Sequence, residues 1–128
     1  PAPFTELPAG TTMGHVHFHV ADIRATEAFY DGVLGLDVTE HIGTEATFLS
    51  AGGYHHHVGA NVWAGRGVTQ PPPGSAALRR ATILVPDGEE RDRVAARVAD
   101  AGQEPEELDD GVLVRDPAGN PLALIAAV

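Results

Sequence analysis

Apolar and polar residues alternate strictly from Gly14 to Val20, with three histidines on one side and three apolar residues on the other. A period of two is typical of a half-buried β-strand. Apolar residues then recur at helical spacing between Ile23 and Leu34, which predicts a helix with Asp22 as its N-cap and Gly35 as its stop. Glycines delimit three further predicted strands, Leu36–Ile42, Ala46–Ser50 and His55–Trp63.

The second half of the chain repeats this order of elements. Residues 64–75 are rich in Gly, Pro, Gln and Thr, and their three consecutive prolines are incompatible with a helix or a central strand. The predicted elements that follow are a strand Leu78–Val85, a helix Asp87–Ala101 and strands Gln103–Leu108, Gly111–Arg115 and Pro121–Ala127. Asp22 and Asp87, which each follow a strand and open a helix, are 65 residues apart. An internal repeat of this kind implies two units that cover each other's apolar faces.

We therefore predict an α+β fold of two βαβββ modules. The predicted organisation is an N-terminal arm (residues 1–12) and a single domain (13–128), which comprises module one (13–63), a linker (64–75) and module two (76–128).

Composition excludes several classes of function. Hydrophobic residues make up 43% and charged residues 20% of the 128-residue chain, as in an ordinary globular domain. Eight basic residues against 18 acidic ones give a net charge of -10, so we expect no binding of nucleic acid or of an anionic membrane surface. The absence of cysteine excludes disulfides and thiolate metal sites. No apolar run is long enough for a membrane span, and we expect a cytoplasmic protein.

All seven histidines lie within the first 57 residues. His15, His17 and His19 share one face of the predicted first strand, where two imidazoles could converge on one ion. If residues 55–63 form a strand, His55 and His57 also share a face and His56 points away. The alternative is a polar strand face exposed to water and a solvated turn.

The pattern resembles the vicinal oxygen chelate superfamily, which includes glyoxalase I, extradiol dioxygenases and fosfomycin- and bleomycin-resistance proteins. The resemblance rests on the first-strand segment 14–17 (GHVH), the end of the first helix at 28–36 (AFYDGVLGL) and the turn at 115–120 (RDPAGN). Residues 48–57 (FLSAGGYHHH) and 63–65 (WAG) are similar to the C-terminal half of bacterial catechol 2,3-dioxygenase-like proteins. The resemblance implies that the modules curl into a curved mixed sheet with a cup-shaped metal site.

In that superfamily, metal ligands come from the first and fourth strands of each module. The matching positions here are His15 and His57 in module one, and Arg80 and Ala123 in module two. Arginine has no lone pair to give a metal, and alanine replaces the carboxylate that extradiol cleavage needs. By this alignment, module two supplies no ligand.

From these residues we assign a predicted site. The metal ligands are His15, His57 and His55, with His17 as the alternative third ligand; the divalent ion would be Fe, Zn, Ni or Mn. His17 is the predicted catalytic residue because imidazole can move a proton near neutral pH. We predict that Arg80, Asn61 and His19 bind substrate, Arg80 through a carboxylate or phosphate group.

Two functions follow from this site. One is a metal-dependent dioxygenase or lyase acting on a small oxygen-chelating molecule, catechol-like or derived from a dicarbonyl compound. The alternative is a non-catalytic, ligand-sequestering protein of the bleomycin-resistance type, which Arg80 and Ala123 favour. The resemblance also implies a homodimer. The chain begins with Pro1, and we consider it a possible part of a longer protein.

Overall fold

The computed structural model describes residues 3–127. Module one of the described chain contains β1 (Val16–His19), α1 (Ile23–Tyr30), β2 (Asp37–Ile42), β3 (Ala46–Ser50) and β4 (Val58–Asn61). Module two contains β5 (Ala81–Val85), α2 (Gly88–Asp100), β6 (Glu106–Leu108), β7 (Gly111–Arg115) and β8 (Pro121–Ala126). Residues 3–15 and 62–80 carry neither helix nor strand. The predicted arm and domain also include Pro1, Ala2 and Val128, which lie outside the described residues.

Each module forms its own four-stranded mixed sheet. The strand orders are β1-β4-β3-β2 and β5-β8-β7-β6. In each sheet the first and last strands of the module pair in parallel, and the other neighbours are antiparallel. These topologies confirm the predicted α+β fold of two βαβββ modules.

The two helices begin in the same way. The side chain of Asp22 accepts a hydrogen bond from the Ala25 amide at 2.7 Å, and that of Asp87 accepts one from the Glu90 amide at 2.8 Å. Both aspartates have extended backbone, as expected of N-caps. Helix α1 ends at Tyr30, and a turn then leads to Gly35, whose φ of 86° lies in the left-handed region that glycine adopts without strain.

The apolar sides of both sheets form the core. Phe18 and Val20 are buried as the alternation predicts, with Val58, Ala60 and Leu49 beside them. Buried residues of β7, β8 and α2 continue the same cluster in module two. The polar sides of β1 and β4 therefore lie on the opposite face of the first sheet, away from the core.

Two sets of polar contacts join the modules. The buried Tyr30 hydroxyl donates to Oδ2 of Asp116 at 3.2 Å. Arg97 on α2 donates from Nε to the Val33 carbonyl at 2.7 Å and from Nη2 to the Leu34 carbonyl at 3.3 Å. These bonds satisfy carbonyls that follow the end of α1 and tie α2 to module one.

Three strands begin three residues later than predicted: β4 at Val58, β5 at Ala81 and β6 at Glu106. Strand β4 begins at Val58 and not at His55, because a turn with two left-handed glycines, Gly52 and Gly53, occupies the preceding residues. His55, His56 and His57 thus precede the strand, and strict alternation does not govern their side chains. Strand β5 begins at Ala81, so Arg80, which we predicted inside this strand, lies just before it. Within the described chain, neither helix has the length and apolar character to cross a membrane.

Candidate functional site

The polar face of the first sheet carries the candidate site. His17 and His19 are exposed on β1, while their neighbours Phe18 and Val20 are buried. In the parallel β1–β4 pair, His17 lies beside Gly59 and His19 lies beside Asn61. We use the name histidine face for this surface, which is formed by His15, His17, His19, Phe48, His56, Gly59, Asn61 and Trp63.

His17 is held by a hydrogen bond and by aromatic contacts. Its Nε2 atom lies 2.7 Å from Nδ2 of the buried Asn61. Its ring stacks with that of Trp63 at a centroid distance of 5.9 Å and meets Phe48 edge-on at the same distance. Trp63 remains 58% exposed, so the stacked pair forms an accessible aromatic surface.

Gly59 makes room for this ring. A Cβ atom at position 59 would lie 2.7 Å from Nδ1 of His17 and 3.0 Å from Cε1. Real Cβ atoms do not approach other heavy atoms so closely, and the ring lies where a side chain on β4 would otherwise stand. Position 59 therefore requires glycine because any side chain would collide with the His17 ring, and not because of its backbone dihedral angles.

His56, which we predicted to point away, faces the other histidines. Its ring lies 4.6 Å from that of His15 and 5.0 Å from that of Phe48, between centroids. The prediction was wrong because it assumed a strand at residues 55–57. The loop conformation places the side chain of His56 on the histidine face instead.

His57 and His55 make other contacts. Nδ1 of His57 lies 3.1 Å from Oγ of Ser50 and accepts a hydrogen bond from the Ala51 amide at 3.3 Å. The ring of His55 packs edge-on against that of Tyr54, and its carbonyl accepts from the Thr39 hydroxyl. Of the two ring nitrogens of His57, only Nε2 therefore remains available as a ligand atom.

The donor set does not fit a three-ligand metal site as the side chains stand. Among residues 3–127, no three side chains of His, Asp or Glu converge in a way that could hold a metal ion. The predicted ligand His15 packs against His56, while His57 bonds to Ser50 and the Ala51 amide. The assignment of metal ligands stays a prediction.

The two module-two positions also make no ligand. Ala123 is fully buried in β8. Arg80 is exposed and shares a cleft with Ala77, Leu78 and Arg79. In the described chain it lines neither of the two cavities that contain predicted site histidines.

Those two cavities lie where the modules approach each other. A cavity of about 490 Å³ is lined by His17 and His19, together with Val68 and Gln70 of the linker region and Asn120 of module two. A second cavity, of about 370 Å³, is lined by His15 and His57 from module one and by residues 81–84 of β5. The predicted site histidines are thus divided between two cavities, and His55 is among the lining residues of neither in the described structure.

Crowding of imidazoles disfavours their protonation. Burial lowers the pKa of His17, and the nearby His15, His19 and His56 lower it further. Burial also lowers the pKa of His56, with His55 and His15 acting in the same direction and Glu40 opposing them. Both rings are therefore neutral over a wider pH range than free imidazole.

Sequence reasoning missed His56, Phe48, Gly59 and Trp63 as members of the site. The pairing of β3 with β4 places Phe48 beside Gly59, and that of β1 with β4 places His17 there as well. A glycine whose neighbours on the two adjacent strands are an aromatic residue and a histidine is a signal for such a site. It can be recognised only when the strand register is known.

Comparison with known proteins agrees with this architecture. Residues 12–124 match the model of the Glyoxalase/Bleomycin resistance protein/Dioxygenase superfamily. A catechol-2,3-dioxygenase of Bacillus subtilis (strain 168) is 46% identical over 114 residues, which are 88% of this chain but 40% of that protein. The chain therefore spans less than half the length of this relative.

Solved structures share the fold at low identity. A lactoylglutathione lyase from Agrobacterium tumefaciens has a TM-score of 0.69 at 21% identity, covering 94% of this chain and 96% of that one. A glyoxalase/dioxygenase from Nostoc punctiforme has a TM-score of 0.70 at 16% identity, covering 99% of both chains. The resemblance inferred from sequence is confirmed: the chain belongs to the Glyoxalase/Bleomycin resistance protein/Dioxygenase superfamily.

Proposed function

We propose that this chain binds a small, planar, oxygen-bearing molecule of the catechol type in the cavity beside His17 and His19. The observation that carries the proposal is the ring of His17, which lines this cavity and stacks on the exposed Trp63 beside it. Planar rings favour offset stacking on such a surface. The cavity volume of about 490 Å³ lies within the range of small-molecule sites.

The other predicted substrate-binding residues take different places in this proposal. His19 lines the cavity directly, with Gln70 and Asn120 supplying further polar groups. Asn61 is buried and bonded to His17, so it acts on a ligand through that ring. Arg80 stays a prediction, because its side chain lines a separate cleft.

A second candidate function is a metal-dependent dioxygenase or lyase. The relative named catechol-2,3-dioxygenase favours it, as does the number of histidines near β1 and β4. Its predicted ligands are His15, His57 and His55, with Fe, Zn, Ni or Mn as the ion. A bound ion of this kind would act as a Lewis acid toward two substrate oxygens. Because these three side chains do not converge as they stand, we derive no catalytic step from them.

The single tryptophan of the chain makes the first proposal directly measurable. Trp63 stacks on His17, so a ligand on this surface changes its fluorescence. Protein treated with a chelator is titrated with catechol, and calorimetry on the same sample provides an independent measure of affinity. We expect saturable quenching of wild-type protein and weaker calorimetric binding by Trp63→Leu. Exposed Leu84→Ala on β5 provides a control outside the 490 Å³ cavity.

The outcomes separate the two functions. Catechol binding that is equal with and without the chelator supports binding without a metal. Stoichiometric uptake of Fe(II), Zn(II), Ni(II) or Mn(II), with catechol affinity that requires the ion, supports the metal-dependent function instead. No saturable signal at millimolar catechol in either condition overturns the first proposal.

A homodimer and a cytoplasmic location are further parts of the proposed function. Light scattering tests the first, and a monomer at micromolar concentration contradicts it. Fractionation of cells expressing the natural protein tests the second, and recovery outside the cytoplasmic fraction contradicts it.

A further inference from the structure

We propose that Asn61 is a positioning residue that holds His17 as its neutral Nδ1–H tautomer, so that His17 offers a ligand a hydrogen-bond donor. The ligand group that meets His17 is then an acceptor oxygen, such as a carbonyl or a phenolate. The statement about the ligand rests on the proposed function, whereas the statement about the tautomer does not.

The orientation of the Asn61 amide is the first step. Its Oδ1 atom accepts a hydrogen bond from the Trp63 backbone amide at 3.0 Å. A backbone N–H can only donate, so the atom that faces it must be the amide oxygen. The other end of the side chain, which faces His17, is therefore the NH₂ group.

The protonation of His17 follows from that orientation. The NH₂ group of Asn61 can only donate, and it lies 2.7 Å from Nε2 of His17. Nε2 must then accept, with its lone pair directed at Asn61. In a neutral imidazole the proton is on the other nitrogen, Nδ1. A proton on Nε2 would set two donors against each other at the buried end of the contact.

The ring of His17 is packed on several sides. Trp63 covers one side of His17, Phe48 meets it edge-on, and the Nδ1 edge occupies the space above Gly59. A 180° flip about the Cβ–Cγ bond would keep these ring contacts but would place Cε1–H instead of Nε2 against the Asn61 NH₂ group, so the hydrogen bond to Asn61 selects the orientation of the ring. None of the side-chain hydrogen bonds of residues 3–127 uses Nδ1, so its N–H is left to a ligand or to water.

These steps revise the predicted chemistry of His17. A base must present a free lone pair to the proton that it removes, and the lone pair of His17 is engaged by Asn61. As an Nδ1–H donor, the ring instead stabilises negative charge or a carbonyl oxygen on the bound molecule. This role suits a binding site and also a site where an oxyanion develops.

The tautomer is measured first, on protein without ligand or metal. Long-range ¹H–¹⁵N correlation spectra of histidine-labelled protein distinguish Nδ1–H from Nε2–H, and loss of a signal in His17→Gln assigns it. We expect Nδ1–H in wild-type protein. In Asn61→Asp the carboxylate can still accept from the Trp63 amide but can only accept from His17, so Nε2 carries a proton. Spectra and calorimetry are therefore recorded at a pH high enough to keep His17 neutral in this variant, where the expected tautomer is Nε2–H.

Catechol affinity is measured next by calorimetry. Asn61→Asp is expected to bind roughly tenfold more weakly than wild-type protein, the effect of losing one hydrogen bond of about 1.4 kcal/mol. Gln103→Glu is the matched control, since it adds the same charge at a residue of module two that lines neither the 490 Å³ nor the 370 Å³ cavity. It should bind catechol within about twofold of wild-type protein and retain the His17 tautomer.

Each outcome decides one of the two proposals. A predominant Nε2–H signal in wild-type protein, or averaging of both tautomers, overturns the inference whether or not Asn61→Asp folds. A shifted tautomer in Asn61→Asp with unchanged catechol affinity overturns the donor role. The expected tautomer in a protein that binds no catechol leaves the positioning role standing and refutes the proposed function alone.

Discussion

The hydrogen bond between Tyr30 and Asp116 links the two modules inside the core. Tyr30 is fully buried at the end of α1, and its hydroxyl lies 3.2 Å from the Asp116 carboxylate. Tyr30→Phe removes this hydroxyl and leaves the ring contacts with Phe18 and Phe29 in place. The substitution therefore isolates one polar contact between the modules.

The expected loss follows from the geometry. A hydrogen bond to a charged group contributes about 1.5–3 kcal/mol to the free energy of unfolding. The observed O–O distance of 3.2 Å is longer than the usual hydroxyl contact, which weakens the bond. Asp116 also keeps three donors at 2.8–2.9 Å, the Ala118 and Asn120 backbone amides and the Asn120 side chain. We therefore expect a loss of about 1.5 kcal/mol and a decrease in Tm of roughly 5 °C.

Urea unfolding at neutral pH measures this value. The other tyrosine of the chain, Tyr54, is 41% exposed, and Tyr54→Phe is the matched control with an expected change below about 0.5 kcal/mol. If both variants unfold at the same urea concentration as wild-type protein, the Tyr30 hydroxyl contributes nothing to the joining of the modules, and the reasoning is refuted.

Three further predictions concern stability. Burial, and after it the charge of Asp116, raises the pKa of Tyr30; stability is thus intact below the unfolded-state pKa of about 10 and falls as the pH rises above it. The urea midpoint should decline there in wild-type protein and less in Tyr30→Phe, and equal slopes would contradict this. The buried Thr47 hydroxyl has no hydrogen-bond partner among the described residues. Thr47→Val should therefore raise the free energy of unfolding by about 1 kcal/mol in the same assay, and a decrease would contradict this prediction. Arg97→Met removes two hydrogen bonds to backbone carbonyls and should lower the free energy of unfolding by about 1–2 kcal/mol. The control Arg93→Met, at a more exposed arginine, should lower it by less than about 0.5 kcal/mol, and equal losses in the two variants would contradict the prediction.

Much of the fold could be predicted because its signals are local. Alternation over residues 14–20 identified the buried side of β1, and the two N-caps identified both helix starts. Each N-cap depends only on an amide three residues away, so both caps could be recognised locally. The spacing between Asp22 and Asp87 then revealed the repeat. Interactions of such short range leave a clear trace in a single sequence.

The loop before β4 could not be predicted in the same way. Three consecutive histidines fit a strand pattern as well as a turn, and the pattern alone gave them alternating directions. In the structure, Gly52 and Gly53 take left-handed dihedrals, and the chain enters β4 only at Val58. The contact between His56 and His15 therefore depends on the course of this loop, and not on whether residues 55–57 alternate as they would in a strand.

The candidate site depends on contacts between residues that are even farther apart in the sequence. Asn61 and His17 are 44 residues apart, and their contact exists because β1 and β4 pair in parallel in one register. In that register the direct neighbour of Asn61 is His19, and the His17 ring reaches the amide because Gly59 leaves the space beside it empty. Histidines on a polar face could be recognised from sequence, but the chemistry of an imidazole is set by what each nitrogen faces. A single missing Cβ on the adjacent strand thus permits the contact that determines which nitrogen of His17 carries the proton.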